Sequence, residues 1–362
     1  MHFFHSRSSS SNPSHSQPNV GYGQWRSQYL RAAGNSYYVD YNQKKEADVK
    51  NAITVSEAHG YGMLLAVYHD SREDFDGFCR YFDLFRNSKG LMGWQQILDR
   101  KQHIVPAPDG GENSATDGDI DIAHALFLAS DKWPTCADGR PSDYFARAID
   151  LCRAIYHYNI NQDLWSLTLG DWVDKHDKKF WNITRPSDFI LSAIHVFAMR
   201  DTERSAGWEQ LRNSIISTAL CLHAENRTGL LPDFAVYKHG KWTAVHGQVL
   251  ESGHDGDFHY NACRTPWRLA AYLKSTGDQR VLPILQAMAK FFDTQKEISA
   301  GYKLNGKSYV DYTDKCFTAP AWMCLHVLGS PNAGRIWSTL ADDECSYFGD
   351  SIQALCEAQA RC

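Results

Sequence analysis

The chain has 362 residues, 43% hydrophobic and 22% charged, with a formal net charge of -5 at pH 7. It has enough apolar residues for a sizeable core and too few charges for an intrinsically disordered chain. The acidic balance argues against a nucleic-acid partner, and no run of about 18 apolar residues marks a membrane span.

Residues 1–20, MHFFHSRSSSSNPSHSQPNV, are rich in Ser, His and Pro and carry no apolar run of signal-peptide length, so a disordered tail is expected there. From residue 21 onward, apolar residues recur at three- and four-residue spacing. They predict helices over 23–33, 57–69, 72–86, 118–131, 142–158, 187–199, 206–224, 262–275, 280–297, 316–328, 333–341 and 345–360. Ser56, Thr116-Asp117 and Ser187-Asp188 supply start signals for the second, fourth and sixth.

Long polar, Gly-rich stretches (87–117, 159–186, 228–261 and 298–315) precede even-numbered helices, whereas the connections after those helices are short. This alternation suggests an all-α fold, an (α/α)6 barrel of six inner and six outer helices. Small strands such as Lys241–Val245 would lie in the long loops. A site would then gather at the end where the long loops meet. An α-solenoid or an irregular helical domain is the alternative. No linker-like change of composition interrupts 21–362, so a single domain is expected there.

Several chemistries have no support. The sequence contains no H-E-x-x-H, G-x-S-x-G, P-loop or G-x-G-x-x-G motif. Its 10 Cys form no C-x-x-C pair, and its 16 His show no tight ligand spacing, so neither a metal nor another cofactor is expected. Aromatic residues, with 11 Trp and 18 Tyr, either fill a large core or offer flat faces to sugar rings.

The acids stand out. Glu57 opens the small, apolar segment Ser56-Glu57-Ala58-His59-Gly60-Tyr61-Gly62-Met63. A lone Glu at a helix start is ordinarily a solvated charge complementing the helix dipole. The two nearby glycines, each costing about 1 kcal/mol in a helix, point instead to close helix packing or to ligand approach. Burial of such a carboxyl favours its protonated form, as a general acid requires. Next, Asp117, Asp119 and Asp121 alternate in Thr116-Asp117-Gly118-Asp119-Ile120-Asp121-Ile122, where Asp117 and Asp121 share a helix face. Capping or a weak calcium site would be the blander reading. Finally, Leu250–Arg268 mixes acids, His, Gly and aromatics ahead of another helix, and is either surface loop or site loop.

Together these three segments resemble glycoside hydrolase family 8. The resemblance rests on Ser56–Met63, Ala115–Ala123 and Tyr260-Asn261-Ala262-Cys263-Arg264-Thr265-Pro266-Trp267-Arg268. Gly93-Trp94-Gln95, Gly170-Asp171-Trp172 and Thr228–Phe234 support it. It implies an (α/α)6 fold, an inverting mechanism and no metal. Glu57 matches the general acid, and Asp117 the acid that holds the sugar beside the scissile bond. The usual base in the Tyr-Asp-Ala segment is here Asn261, and an amide cannot accept the proton of water. In the chitosanase/lichenase subgroup, Asn stands there and a Glu about ten residues upstream is the base. Glu251 has that spacing, with Asp255 and Asp257 as less favoured substitutes. Asn261 would then help orient the water. An inverting pair needs carboxyls roughly 6.5–9.5 Å apart.

The resemblance thus implies an endo-acting hydrolase of β-1,4-linked polysaccharide, with Tyr61, Trp94, Trp172, Tyr260, Asn261 and Arg264 as candidate substrate contacts. Chitosan is the expected polymer, because Asp119, Asp121, Asp171, Asp255 and Asp257 in or beside the site loops would attract its ammonium groups. The alternative is an endo-β-glucanase acting on lichenan or cellulose-type glucan. A reading of another class is a polysaccharide-binding protein without catalysis. A secreted, monomeric protein is expected, and the acceptor triplets Asn182-Ile183-Thr184 and Asn226-Arg227-Thr228 fit export.

Overall fold

A computed structural model describes residues 21–43, 51–340, 343 and 345–361. The expected N-terminal tail lies outside the described residues. Twelve α-helices dominate the described chain. None of them is long and apolar enough to cross a membrane. Backbone packing groups the chain into two compact units. One comprises Gly21–Thr184 and Asp188–Ser217; the other comprises Arg185–Ser187 and Thr218–Ala360.

The N-terminal unit holds α1 (Tyr22–Tyr29), α2 (Ser56–Tyr68), α3 (Arg72–Leu84), α4 (Thr116–Lys132), α5 (Tyr144–Tyr158), α6 (Leu191–Arg200) and most of α7 (Ser205–His223). Its helices fall into two kinds. Every residue of α2 from Ala58 to Val67 is buried, and so is every residue of α4 from Thr116 to Phe127. Helices enclosed on every side belong to the interior, and in α4 this buries Asp117, Asp119 and Asp121 as well as the apolar residues. By contrast α5 buries Tyr144, Ala148, Leu151, Cys152, Ala154 and Ile155, largely one face at helical spacing, and exposes residues such as Phe145, Arg153 and His157.

Gly60 and Gly62 lie on nearly opposite sides of α2, because two residues subtend about 200° of helix. Each admits a different neighbour. A Cβ on Gly60 would stand 2.8 Å from the Asp121 Cβ on α4. One on Gly62 would stand 2.6 Å from the Phe78 ring on α3 and 2.8 Å from Val39. The two glycines therefore let α2 pack between α4 and α3. Buried Asp74 of α3 anchors α1 by accepting from Tyr22 Oη at 2.8 Å and Arg26 Nε at 2.7 Å. The first helix ends at Tyr29, earlier than its apolar spacing suggested. Leu30–Ala33 instead pairs antiparallel with Ser36–Val39 through a turn at Gly34 with φ +62°. Ala52–Val55, Gln95–Leu98 and Ile104–Pro106 form a three-stranded antiparallel sheet whose first strand runs directly into α2.

The C-terminal unit holds α8 (Thr265–Thr276), α9 (Leu282–Asp293), α10 (Lys315–Val327), α11 (Ala333–Thr339) and α12 (Tyr347–Arg361). The same alternation recurs. In α10 and α12 nearly every residue is buried, while α9 buries only Ile284, Leu285, Met288, Ala289 and Phe292. A buried Lys315–Asp350 ion pair of 2.8 Å joins α10 to α12. Ala235–Lys238 and Lys241–Ala244 form the small hairpin expected around Lys241, turning at His239 and Gly240 with φ of 51° and 80°. The nine described cysteines are free thiols.

Candidate active site

In the N-terminal unit the two helix starts that carry the leading acids touch. A Cβ on Gly118 would lie 2.6 Å from Ser56 Oγ and 2.7 Å from the Ser56 carbonyl carbon. Residue 118 thus abuts residue 56, which sets Glu57 and Asp117 on adjoining residues at one end of the α2–α4 pair. Glu57 is half-buried, whereas Asp117 is buried and accepts from the Gly118 N–H at 2.9 Å. Trp94 is fixed beside them, because its carbonyl accepts the Ser56 N–H at 2.9 Å.

A second set of contacts holds the approach to α4. Asp171 Oδ1 accepts the Ser114 N–H at 2.7 Å, and the Asp171 N–H donates to Ser114 Oγ at 3.1 Å. Asn87 Nδ2 donates to Asp171 Oδ2 at 2.9 Å, and Lys89 lies 3.5 Å from the same oxygen. Asn159 Nδ2 reaches both Ser114 Oγ and Thr116 Oγ1. Gly170 permits this clamp, since a Cβ there would collide with the Ser114 carbonyl at 2.1 Å. Trp172 follows directly, 37% exposed and edge-on to Phe180.

Asp119 and His59 are interior groups. Burial drives the Asp119 carboxyl well above the usual carboxylate range. The Met92 N–H, donating at 2.9 Å, opposes that shift, and the Asp171 charge adds to it. His59 is fully buried with Nε2 3.1 Å from the Phe78 carbonyl; burial pushes its pKa down to about 3, so the ring is neutral. Tyr61, a candidate sugar contact, has no exposed surface and belongs to the core.

In the C-terminal unit, Glu251 and Asn261 come together across the ten-residue spacing. Asn261 Nδ2 donates to Glu251 Oε2 at 2.7 Å, and Arg185 Nη2 donates to Glu251 Oε1 at 3.0 Å. The Glu251 side chain keeps 28% of its surface open to solvent, so water reaches it. Arg264, expected to touch substrate, is buried. It donates from Nη2 to Asn261 Oδ1 at 3.1 Å and to Ser187 Oγ at 2.9 Å, fixing the amide from behind. Tyr260 is half-buried, its hydroxyl 3.4 Å from Asp314 Oδ2 and its ring edge-on to Phe317.

The substitute bases are otherwise engaged. Asp255 accepts four backbone N–H groups, from Val249, Leu250, Glu251 and Ser252 at 2.8, 2.8, 3.1 and 2.8 Å. Asp257 is held by Lys303 Nζ at 2.8 Å and contacts His254 Nδ1 at 2.9 Å.

Two members of this site were not singled out from sequence. Arg185 is 66 residues from its partner Glu251. Asp233 is fully buried beneath Asn261, and burial pushes its pKa up to about 8, against backbone N–H donors and with the Glu251 charge. An acid inside the apolar run Leu230-Leu231-Pro232-Asp233-Phe234 was the available signal. No group of three or more His, Cys, Asp and Glu among the described residues could hold a metal ion. The acceptor triplet at Asn226 is also engaged: its Oδ1 accepts from Thr228 and Gly229, and its Nδ2 donates to the Leu230 carbonyl.

Acids at the starts of buried helices in one unit, and a solvent-reachable Glu held by Arg and Asn in the other, are groups of the kind a glycosidase uses. Comparison with known proteins gives the family. The model of glycosyl hydrolases family 8 matches residues 2–355. A beta-glucanase of Niallia circulans is 35% identical over 348 residues, covering 91% of this chain and 80% of its own. An endoglucanase of Bacillus sp. (strain KSM-330) is 28% identical over 92% of this chain and 73% of its own. Among solved structures, the apo beta-1,3-1,4-glucanase from Paenibacillus sp. X4 superposes with a TM-score of 0.81 at 32% identity, covering 94% of this chain and 90% of that one. The chain belongs to glycoside hydrolase family 8.

Proposed function

We propose that the chain is an inverting endo-β-glucanase that cleaves β-1,4 linkages in lichenan-type or cellulose-type glucan, with Glu57 as general acid and Glu251 as general base. The observation that carries the reading is the 2.7 Å contact from Asn261 to Glu251. Where an amide stands in place of the usual base, it holds a carboxylate that water can reach. In this mechanism Glu57 gives its proton to the leaving glycosidic oxygen as the C1–O bond breaks. Glu251 takes the proton of the water attacking C1 from the other face. Asp117 stabilises the positive charge developing on the sugar. Both hydrogens of the Asn261 amide are engaged, by Glu251 and Asp233. Asn261 therefore orients the base rather than the water.

The glucan reading is favoured over chitosan on two grounds. The relatives described above are named for glucans. The five acids that suggested chitosan, Asp119, Asp121, Asp171, Asp255 and Asp257, are all buried, so they present no open anionic face to an ammonium group. Trp94, Trp172 and Tyr260 are the sugar contacts in this proposal. The alternation of enclosed and one-faced helices supports an (α/α)6 barrel. We also propose that the enzyme works outside the cell as a monomer, where its polymeric substrate lies.

Product release from lichenan, carboxymethyl cellulose, xylan and chitosan, measured in parallel, tests the assignment. Lichenan or carboxymethyl cellulose should be cut fastest, with products of inverted anomeric configuration by NMR. Glu57→Gln and Glu251→Gln should each remove most turnover while leaving the circular dichroism spectrum unchanged. Retained configuration, or chitosan as the fastest substrate, would overturn the proposal. So would binding of oligosaccharide without cleavage.

A further inference from the structure

Asn261 is the link between Glu251 and the protein interior, and its own orientation has a cause. The two oxygens of the Asp233 carboxyl group gather the chain on both sides of it. Oδ1 accepts the His259 N–H at 3.1 Å and the Ala262 N–H at 2.6 Å. Oδ2 faces the Asn261 N–H at 3.3 Å and its side-chain Nδ2 at 3.4 Å. One buried side chain thus folds residues 259–262 into a turn and takes the second hydrogen of the amide whose first goes to Glu251. The backbone secures Asp233 in turn: its N–H donates to the Asp257 carbonyl at 2.8 Å, and the Phe234 N–H to the Asp255 carbonyl at 2.8 Å. Asp255 gathers the segment that carries Glu251, so a buried Asp side chain stands behind each of the two partners.

We infer that Asp233 is a positioning residue for the catalytic base, acting through Asn261 to hold the Glu251 carboxylate in line for the attacking water. This rests on the reading of Glu251 as base. Asp233 touches neither water nor sugar in this role. Its contribution is to fix the amide with its Nδ2 toward Glu251 and its Oδ1 toward Arg264. With Asp233 gone, the amide can rotate, and its carbonyl oxygen can face the Glu251 carboxylate.

Asp233→Asn is the discriminating variant. An amide there keeps one carbonyl oxygen for His259 and Ala262, but presents N–H groups to the Asn261 donors, so the turn survives and the orientation does not. We expect kcat on lichenan to fall roughly 10- to 100-fold, the scale of a small misplacement at a reacting group, with KM held within a factor of about two. The decisive readout is the double variant. In a Glu251→Gln background, Asp233→Asn should add little further loss, because the group it positions is already gone. Asn261→Ala should reproduce the Asp233→Asn loss. Wild-type turnover in Glu251→Gln would overturn the assignment of the base. A slow Glu251→Gln combined with wild-type kcat in Asp233→Asn, or with losses that multiply in the double variant, would overturn the positioning role alone. Wild-type kcat in Asn261→Ala would overturn that role even if Asp233→Asn did not fold.

Discussion

Asn261→Asp would place a carboxylate at the position of the commoner family base, yet the structure predicts impairment rather than rescue. In the native site the amide donates to Glu251 at 2.7 Å, a hydrogen bond to a charged group, worth about 1.5–3 kcal/mol. The substitution replaces that donor with an acceptor and brings two carboxylates together. Unit charges about 4 Å apart at an effective dielectric near 20 repel by about 4 kcal/mol, equivalent to about three pKa units at 1.36 kcal/mol each. Arg185 and Arg264, already bonded to Glu251 and to residue 261, offset part of this. The pair should therefore hold one shared proton well above the normal carboxylate range. A base that holds a proton cannot accept another, so the acidic limb of the kcat–pH profile should move upward by about one to three units. Turnover at mildly acidic pH should fall steeply and recover in part as pH rises. The assay is reducing-end release from lichenan across the pH range, with circular dichroism to confirm the fold. An acidic limb in the wild-type place would refute the claim that residue 261 sets the charge state of Glu251. Full activity at all pH values would move the base to residue 261 itself.

Two further perturbations test the structure that supports the site. Gly118→Ala forces a methyl group to 2.6–2.7 Å from Ser56, against backbone as well as side chain. It should cost about 1–3 kcal/mol by overpacking, read as a lower thermal midpoint, and should depress kcat by displacing Asp117 from Glu57. The Asp74 carboxyl lies below its usual range: burial pulls it up, but bonds from Arg26, Ser71 and Tyr22 outweigh that. A depressed carboxylate stabilises fully above its unfolded pKa and loses that contribution as pH falls through its folded value. Arg26→Ala should therefore lower stability at neutral pH and flatten the loss of stability below about pH 4, the ordinary range of an Asp carboxyl, in urea titrations at several pH values.

What was legible in the sequence tracks how local its cause is. The enclosed helices announced themselves through unbroken apolar and small residues, as in Gly60-Tyr61-Gly62-Met63-Leu64-Leu65, and the hairpin at Lys241 through short alternation. The first helix overran because Leu30–Ala33 has helical spacing. Only the Gly34 turn and pairing with Ser36–Val39 make it a strand, a tertiary gain that propensity does not carry. Likewise α6 starts at Leu191 rather than 187, since Ser187 sits in a short 3-10 turn and binds Arg264. Side-chain direction was the least legible feature. Five acids in or beside the site loops looked like an anionic face and proved to be buried. The roles of Asp233 and Arg185 depend on partners 26 to 29 and 66 residues away.

The two sets of candidate residues, one in each unit, are held by different physics, which bears on how each tolerates change. Glu57 and Asp117 are placed by backbone packing: two helix starts meet at Gly118 and Ser56, and no hydrogen bond needs to form for the approach to persist. Glu251 and Asn261 are placed by a polar network in which Asp233, Asp255, Arg185 and Arg264 each satisfy a partner. A packed contact fails in steps set by volume, so one methyl group at residue 118 is felt. A satisfied network fails by leaving a buried donor or acceptor unpaired, so changing one atom from oxygen to nitrogen at residue 233 is felt without any change of volume. A base carried on a loop needs the second kind of restraint, because loop backbone lacks the repeating bonds that hold a helix. Here buried Asp side chains supply those bonds from the side.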